Sequence, residues 1–339
     1  LYALENPGYE KLNMIFKSNH VCYKAVALDT QGLDPLLLQK SGADIVCVTP
    51  SHQFPTGVIM PVSRRLALLR WAADKDGRYI IEDDYDSEFK FSGRPIPSLQ
   101  SLGGDKVIYL GAFSKSLSPS MRVSYMVLPP ALIEAYLQSL TFYICPVPAL
   151  QQKTLTAFMT GGDFERHLNR MRGIYKRKRE RLVTELAESF KKGEVIGANA
   201  GLHLVFKPNT GKSERELVDS ARDVGVKVYG LSKYYIEQPK EASAPSVLLG
   251  FASLSEEQMK KAVDRLGGSS IDLLVSSGFH SVIADDAEAI RSIIRRHPMN
   301  QHEIEGFLQS RGCGEKDSVI KDLERDPAIS VIDYKGYKT

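Results

Sequence analysis

The chain has 339 residues, of which 43% are apolar and 25% charged, and Lys plus Arg exceed Asp plus Glu by three. That is an ordinary globular composition, long enough for about two domains. It carries no global charge to draw nucleic acid or a membrane surface, and no apolar run nears the ~20 residues needed to span a bilayer. The four cysteines, Cys22, Cys47, Cys145 and Cys313, match no zinc or redox spacing, so reduced thiols in a cytoplasmic protein are expected. The opening LYALENPGYE has neither signal-peptide nor transit-peptide features. It lacks an initiator Met and reads as a strand-to-loop transition, so structure upstream is expected.

Residues 1–145 alternate short apolar, β-branched runs with amphipathic stretches. IVCVT (45–49) reads as a buried strand, and 64–74 follows with helical spacing, Leu66, Leu69 and Trp71 among its apolar positions. YIIE (79–82) and VIYL (107–110) read as two further strands. Continuous apolar strands separated by helices predict a mostly parallel sheet covered on both faces. Ligands of such sheets sit just beyond the carboxyl ends of the strands. The polar motifs TPSHQFPTG, DDYDSEF and FSKSLSPSMR each follow one of the three strands.

Residues 163–192 predict one long helix with Asp163 as N-cap candidate. Seven Lys or Arg residues fall between Arg170 and Arg181, and a solvated face is favoured over a nucleic-acid contact. Strands at 201–206, 226–229 and 247–251 then predict a smaller α+β unit ending near Leu266. Gly267, Gly268, Ser269 and Ser270 form a plausible linker. Three short helical patterns follow, near 285–296, 302–310 and 316–324, then a strand at 328–334 and a turn at Lys335 and Gly336. These predict a winged-helix-like module. From Gly268 to Thr339 there are 9 Lys/Arg against 12 Asp/Glu, which is not the basic surface of a DNA reader. The division expected is a large domain over 1–150, a small domain over 151–266 and the third module over 267–339.

The motifs at the strand ends meet the demands of pyridoxal-phosphate (PLP) chemistry. A lysine must form the Schiff base, a carboxylate must keep the pyridine nitrogen protonated, and hydroxyls with a cation must hold the phosphate. Lys115 lies beyond the 107–110 strand in a hydroxyl-rich turn that also supplies Arg122, whose fork suits a phosphate. Asp83 ends the 79–82 strand, and Tyr85 follows within reach of the ring oxygen. His52 and His203 are candidate pocket residues, as is Gln53; a histidine satisfied by backbone is the equal alternative for both. Asp84, Asp86 and Glu88 read as caps and salt-bridge partners, and no metal site is expected.

VTPSHQFPTGVIMP, YIIEDDYDSEF and VIYLGAFSKSLSPSMRVSYMVLPP, with the ENPGY opening and GANAGLHLVF, resemble the class I aminotransferase-like domain of MocR/GabR-type bacterial regulators. The resemblance runs from about Leu1 to Leu266. It implies a fold-type I PLP domain, a homodimer, and an amino-acid-like small molecule as ligand. It makes Lys115 the Schiff-base lysine and Asp83 the nitrogen partner. Tyr85 would bond the phenolic oxygen, Ser114 and Arg122 the phosphate, and Tyr9 would lie beside the cofactor. DNA would be met through a GntR-type winged helix upstream or, secondarily, through the C-terminal module.

Two departures bear on purpose. Phe54 stands before Pro55-Thr56-Gly57 where aminotransferases carry Asn, which favours a regulator over an enzyme. Ser253 replaces the Arg that clamps a substrate carboxylate. The leading expectation is a sensor of PLP or an amino acid. A PLP-dependent aminotransferase is the first alternative, and a degenerate fragment without activity the second.

Overall fold

The computed structural model describes residues 1–190, 192–239, 244–268, 285–294, 304, 308, 316–324, 326, 333–334 and 337–338. They divide into two units, Leu1–Val275 and Ser276–Thr339. The first unit carries a seven-stranded sheet in the order β3-β2-β1-β4-β5-β6-β7. Its strands are β1 (Tyr2–Asn6), β2 (Tyr23–Asp29), β3 (Gly32–Leu33), β4 (Ile45–Val48), β5 (Tyr79–Asp84), β6 (Val107–Ala112) and β7 (Ser124–Val127). The pairs β1–β2, β1–β4, β4–β5 and β5–β6 are parallel, and β3 and β7 close the two edges antiparallel. The expected mostly parallel sheet is present. The opening is the strand-to-loop transition expected: Tyr2–Asn6 forms β1, paired with β2 along its length and with β4 at Tyr2–Leu4, and Pro7–Tyr9 leave the strand before α1 begins.

Alternation along β4 covers both faces. Val46 and Val48 join Ala3, Ile80 and Val107 in a core with Leu68 and Trp71 of α3 (Val62–Ala73). Cys47 points the other way, with Leu4 and with Phe16 of α1 (Glu10–Ser18). With successive side chains on opposite faces, a strand apolar at nearly every position has to be buried twice.

The order of the sheet fixes where a ligand can enter. From β1 the chain winds out to β2 and β3, then returns to β4 on the other side of β1 and winds away through β5 and β6. The covering helices change faces at the same place, with α1 on one side of the sheet and α3 on the other. This is a topological switch point, where crossovers diverge and leave a crevice at the carboxyl ends of the strands.

The long helix α8 spans Asp163–Ser189. Asp163 is its first helical residue, not its cap, since Gly162 holds the N-cap position in the left-handed region. Asp163 instead pairs with Arg166 at 2.6 Å and suits the positive end of the helix. The basic run is not simply a solvated face. Arg172 donates to the Glu88 carbonyl at 2.6 Å, Lys178 to the Ala252 carbonyl at 2.8 Å, and Arg179 lies over the Phe91 ring.

Helix α8 packs on α10 (Glu256–Gly268) and on an antiparallel sheet of β8 (Glu194–Ile196), β9 (His203–Lys207), β10 (Tyr229–Gly230) and β11 (Val247–Gly250). Of the strand expected at 226–229, only Tyr229 is in β10; Val226 and Val228 are buried in the core outside it. Gly267 and Gly268 belong to α10, not to a linker. Ser269 and Ser270 lie outside the described residues.

In the second unit, α11 (Asp286–Ile294), α12 (Lys316–Glu324) and the hairpin of β12 (Asp333–Tyr334) with β13 (Tyr337–Lys338) are described. Ala289, Ile290, Leu308 and Leu323 form its core, and Arg291 pairs with Asp326 at 2.6 Å. Most of the helix expected at 302–310, most of the strand at 328–334 and the Lys335–Gly336 turn lie outside the described residues.

Candidate functional site

The crevice at the switch point is a small cavity of about 30 Å³, lined by Leu4 and Glu5 of β1, Cys47 and Val48 of β4, Thr49 after it, and Asp83 of β5. Gly8, Tyr9, Leu12 and Ile236 complete the lining. Tyr9 precedes α1, is partly exposed, and meets the Phe54 ring edge-on at 5.6 Å between centroids. Burial pushes the Asp83 carboxyl up to about 6, with Asp84 and Asp86 adding to the rise. An acid in such surroundings is poised to meet a cation, which would restore its charge.

Glu5 lies deeper, 6% exposed. Its Oε2 accepts from the Thr49 amide (3.1 Å), the Thr49 hydroxyl (2.7 Å) and the Gln53 side chain (3.2 Å). Its Oε1 is equally buried and has no partner. Burial is the main cause that pushes Glu5 up to about 7. Sequence reading took only Tyr9 from the ENPGY opening; an acid at the end of an apolar central strand was the available signal for Glu5.

Lys115 lies in the one-turn helix α5 (Phe113–Ser116), three residues past the end of β6 and beside the strand that carries Asp83. It is exposed, and no hydrogen bond or ion pair holds it among the described residues. Ser114 sits half-buried one residue before it. Arg122 caps the short 3₁₀ turn Pro119–Met121 in a left-handed conformation, exposed to solvent. The Lys115 charge reaches His203, whose pKa is pushed well below the ordinary histidine value, chiefly by burial and then by His52 and Lys115.

The two histidines are brought together, ring centroids 4.4 Å apart, from the loop after β4 and from the first residue of β9. His52 Nδ1 lies 3.0 Å from Asp86 Oδ2, and Nε2 lies 3.3 Å from the Gly197 carbonyl. The Tyr85 hydroxyl donates to the His52 carbonyl at 2.8 Å, so Tyr85 is anchored by the motif that it faces. His203 Nε2 lies 3.2 Å from the Pro55 carbonyl. His52, Asp86 and His203 place potential ligand atoms within 4.8 Å of one another. Their nearest partners are protein groups, and a hydrogen-bonded His–Asp pair already accounts for the arrangement. Asp86 thus lies within hydrogen-bond distance of His52.

Gln53 is an organiser of the loop. Its amide nitrogen donates to the Pro7 carbonyl (3.1 Å) and to Glu5, and its oxygen accepts from the Thr56 amide (3.1 Å) and hydroxyl (2.6 Å). Ser253 is apart from this group: it lies exposed in the turn after β11, beside the Ala252 carbonyl held by Lys178.

One glycine makes the His52–Asp86 contact possible. Gly201 has φ +68°, and a Cβ there would stand 1.9 Å from His52 Nδ1 and 2.5 Å from Asp86 Oδ2. Gly201→Ala should cost about 2–4 kcal/mol, from the left-handed backbone and the overlap together. A urea titration of the purified chain checks this, and an unchanged midpoint would mean that the contact is not packed as described.

The aminotransferase class I and II family model matches residues 3–266. The HTH-type transcriptional regulator YhdI of Bacillus subtilis (strain 168) is 40% identical over 266 residues, covering 78% of this chain and 56% of YhdI. The probable rhizopine catabolism regulatory protein MocR of Rhizobium meliloti is 33% identical over 236 residues, covering 69% of this chain and 47% of MocR. The chain thus spans about half the length of the curated relatives it matches. LysN, the α-aminoadipate aminotransferase of Thermus thermophilus, solved with N-(5'-phosphopyridoxyl)-L-leucine, is similar with a TM-score of 0.69 and 26% identity, over 79% of this chain and 70% of LysN.

Proposed function

Since the chain belongs to the aminotransferase class I and II family, we propose that it is the PLP-binding effector domain of a MocR/GabR-type transcriptional regulator, sensing PLP or an amino acid through Schiff-base exchange at Lys115. The observation that carries this reading is the cavity at the switch point. Glu5 and Asp83 line it, and Lys115 stands three residues past the end of β6, the strand paired with that of Asp83. Such a donor set fits a cationic ring nitrogen on one side and a carbonyl carbon on the other.

PLP, when bound, supplies an aldehyde and an electron-withdrawing ring. Asp83 is assigned to the ring nitrogen, Tyr85 to the phenolic oxygen, Tyr9 to the ring face, and Ser114 and Arg122 to the phosphate. For Tyr85 to donate to a ligand, its proton has to leave the His52 carbonyl, so binding is coupled to the His52–Asp86 pair. His203, held neutral, lines the amino-acid side of the site with His52. Ser253 supplies no cation for a substrate carboxylate.

The division into 1–150 and 151–266 is proposed on the same family grounds, and 267–339 is proposed as a winged-helix-like module from its helices and paired strands. DNA contact is proposed through a GntR-type winged helix or, secondarily, through that module. A homodimer is supported by the exposed apolar side chains of Ile133, Tyr136, Leu137, Phe142 and Ile144, a patch that a lone domain rarely leaves bare. Among the described residues no helix is long and apolar enough to cross a membrane, and a cytoplasmic location is proposed.

Titrating the purified chain with PLP should produce near-visible Schiff-base absorbance that saturates. A sensor should then change its spectrum with a particular amino acid without releasing keto acid, whereas continuing keto-acid release would establish a transaminase. No absorbance at all would refute the PLP reading.

A further inference from the structure

The stretch from Ser124 to Gln152 carries one charged residue, Glu134. All four residues of β7 are exposed, and α6 (Pro130–Leu140), apolar over most of its circumference, buries none of its own. Such a helix belongs against other protein. Tyr125, Tyr136, Phe142 and Tyr143 are between 40% and 72% exposed. An aromatic side chain can bury about 150–250 Å², so these four leave roughly 450 Å² in water, as much as the largest patch on an ordinary monomer. Met126, Val127, Ile133, Leu137, Ile144 and Leu150 add to the face, which then passes the roughly 800 Å² per partner of a standard interface.

We propose that β7 is the two-fold seam of a homodimer: it pairs antiparallel with β7 of a second copy of this chain, joining the two sheets edge to edge. The exposed apolar side chains of β7 and α6 are buried in the same interface. The inference rests on the homodimer reading and names the contact that makes the dimer.

The backbone of β7 is open as well as its side chains. β7 ends the sheet, and among the described residues no strand pairs beyond it. The Phe113 amide donates to the Val123 carbonyl at 3.0 Å, in the register that pairs β6 with β7. Bonded and non-bonded pairs alternate along an antiparallel ladder. Tyr125 and Val127 therefore turn their backbone groups to β6, and Ser124 and Met126 turn theirs outward. No lysine or proline blunts these four residues, the usual protection of an edge left in water. Two further features select a second copy as the occupant. An isologous interface sets a patch against itself, which a face with one charge tolerates and a charged face would not. An antiparallel edge is also self-complementary, since a two-fold axis normal to the sheet sets each outward N–H opposite an outward carbonyl of the copy.

The test is the mass of the full chain in solution, read by light scattering over a dilution series, in the parent, in Met126→Pro and in Met126→Lys. The Met126 amide faces away from β6, so proline there spares the bonds between β6 and β7 and removes a donor from the outer edge alone. Lysine sets a charge against its own copy at the seam. The parent should be a dimer, and each variant should raise its dissociation constant by about a hundredfold, with circular dichroism unchanged. Equal dissociation constants in the parent and both variants overturn β7 as the contact and leave the homodimer standing. A parent that stays monomeric at the highest concentration assigns the face to a different partner and overturns both. Should Met126→Pro fail to fold, an unchanged constant in Met126→Lys overturns the seam equally.

Discussion

Replacing Lys115 with alanine should abolish covalent retention of PLP. Incubated with PLP and reduced with borohydride, the parent should gain the mass of about one cofactor per chain, as expected of a Schiff-base lysine, and Lys115→Ala none. The size of the effect follows from the place of the amine. It stands three residues past β6, next to the strand of Asp83, and no hydrogen bond or ion pair holds it among the described residues. Lys115→Arg should fail in the same way, since it keeps the charge but has no amine that condenses with an aldehyde. Full retention of reduced cofactor by Lys115→Ala would place the reacting lysine elsewhere.

The second large effect is on stability. Arg65 on α3 is 1% exposed, and its fork donates to the carbonyls of Met60 (3.2 Å), Pro97 (3.0 Å) and Pro50 (2.9 Å). It also lies 3.6 Å from Glu82, which is fully buried and accepts from the amides of Leu99 and Gln100 at 2.9 Å each. Arg65→Met would leave Glu82 as an uncompensated buried charge, the Met60 and Pro97 carbonyls would lose the Arg65 donor, and the Pro50 carbonyl would keep only the Met60 amide. The expected loss is about 3–5 kcal/mol at a pH of about 7.5, read from denaturant midpoints.

The pH dependence adds a check on the cause. Burial already raises the Glu82 carboxyl above its ordinary value, and Arg65 opposes the rise. Without Arg65 the folded-state pKa climbs further. The variant's deficit should therefore shrink as pH falls and Glu82 becomes neutral, and it should be complete above that higher pKa. A deficit independent of pH would assign the effect to packing and the lost carbonyl bonds. Pro50 opens the segment that carries His52 and Gln53, so the same substitution should also weaken PLP binding.

Much of the architecture was legible in the sequence. Runs such as IVCV and YIIE are apolar at consecutive positions, and only a strand covered on both faces buries such a run. Polar motifs after three of these runs marked the ligand end of the sheet before any strand order was known. Lys115 and Asp83 were proposed in this way, from the chemistry required at strand ends, and Tyr9 from the resemblance alone.

Other features depended on distance through the fold. Asp163 looked like a cap because it precedes an apolar-periodic stretch, but Gly162 takes the left-handed turn that starts the helix. The basic run looked solvated, yet Lys178 reaches a carbonyl just past the end of β11, a contact that helical periodicity cannot report. Asp86 was one acid among several until the fold set it beside His52.

The sequence by itself marked β4, β5 and β6 as apolar strands and showed which residue types stand beyond their carboxyl ends, because period and apolarity are local properties of the chain. Only the tertiary structure decided that β1 lies beside β4. That neighbourhood creates the switch point and puts Glu5 and Asp83 on one cavity, while the packing of β9 on the loops after β4 and β5 gathers His203 with His52 and Asp86. The physical reason is that strand order and side-chain pairing arise from packing between segments distant in sequence, which no local pattern of residues encodes.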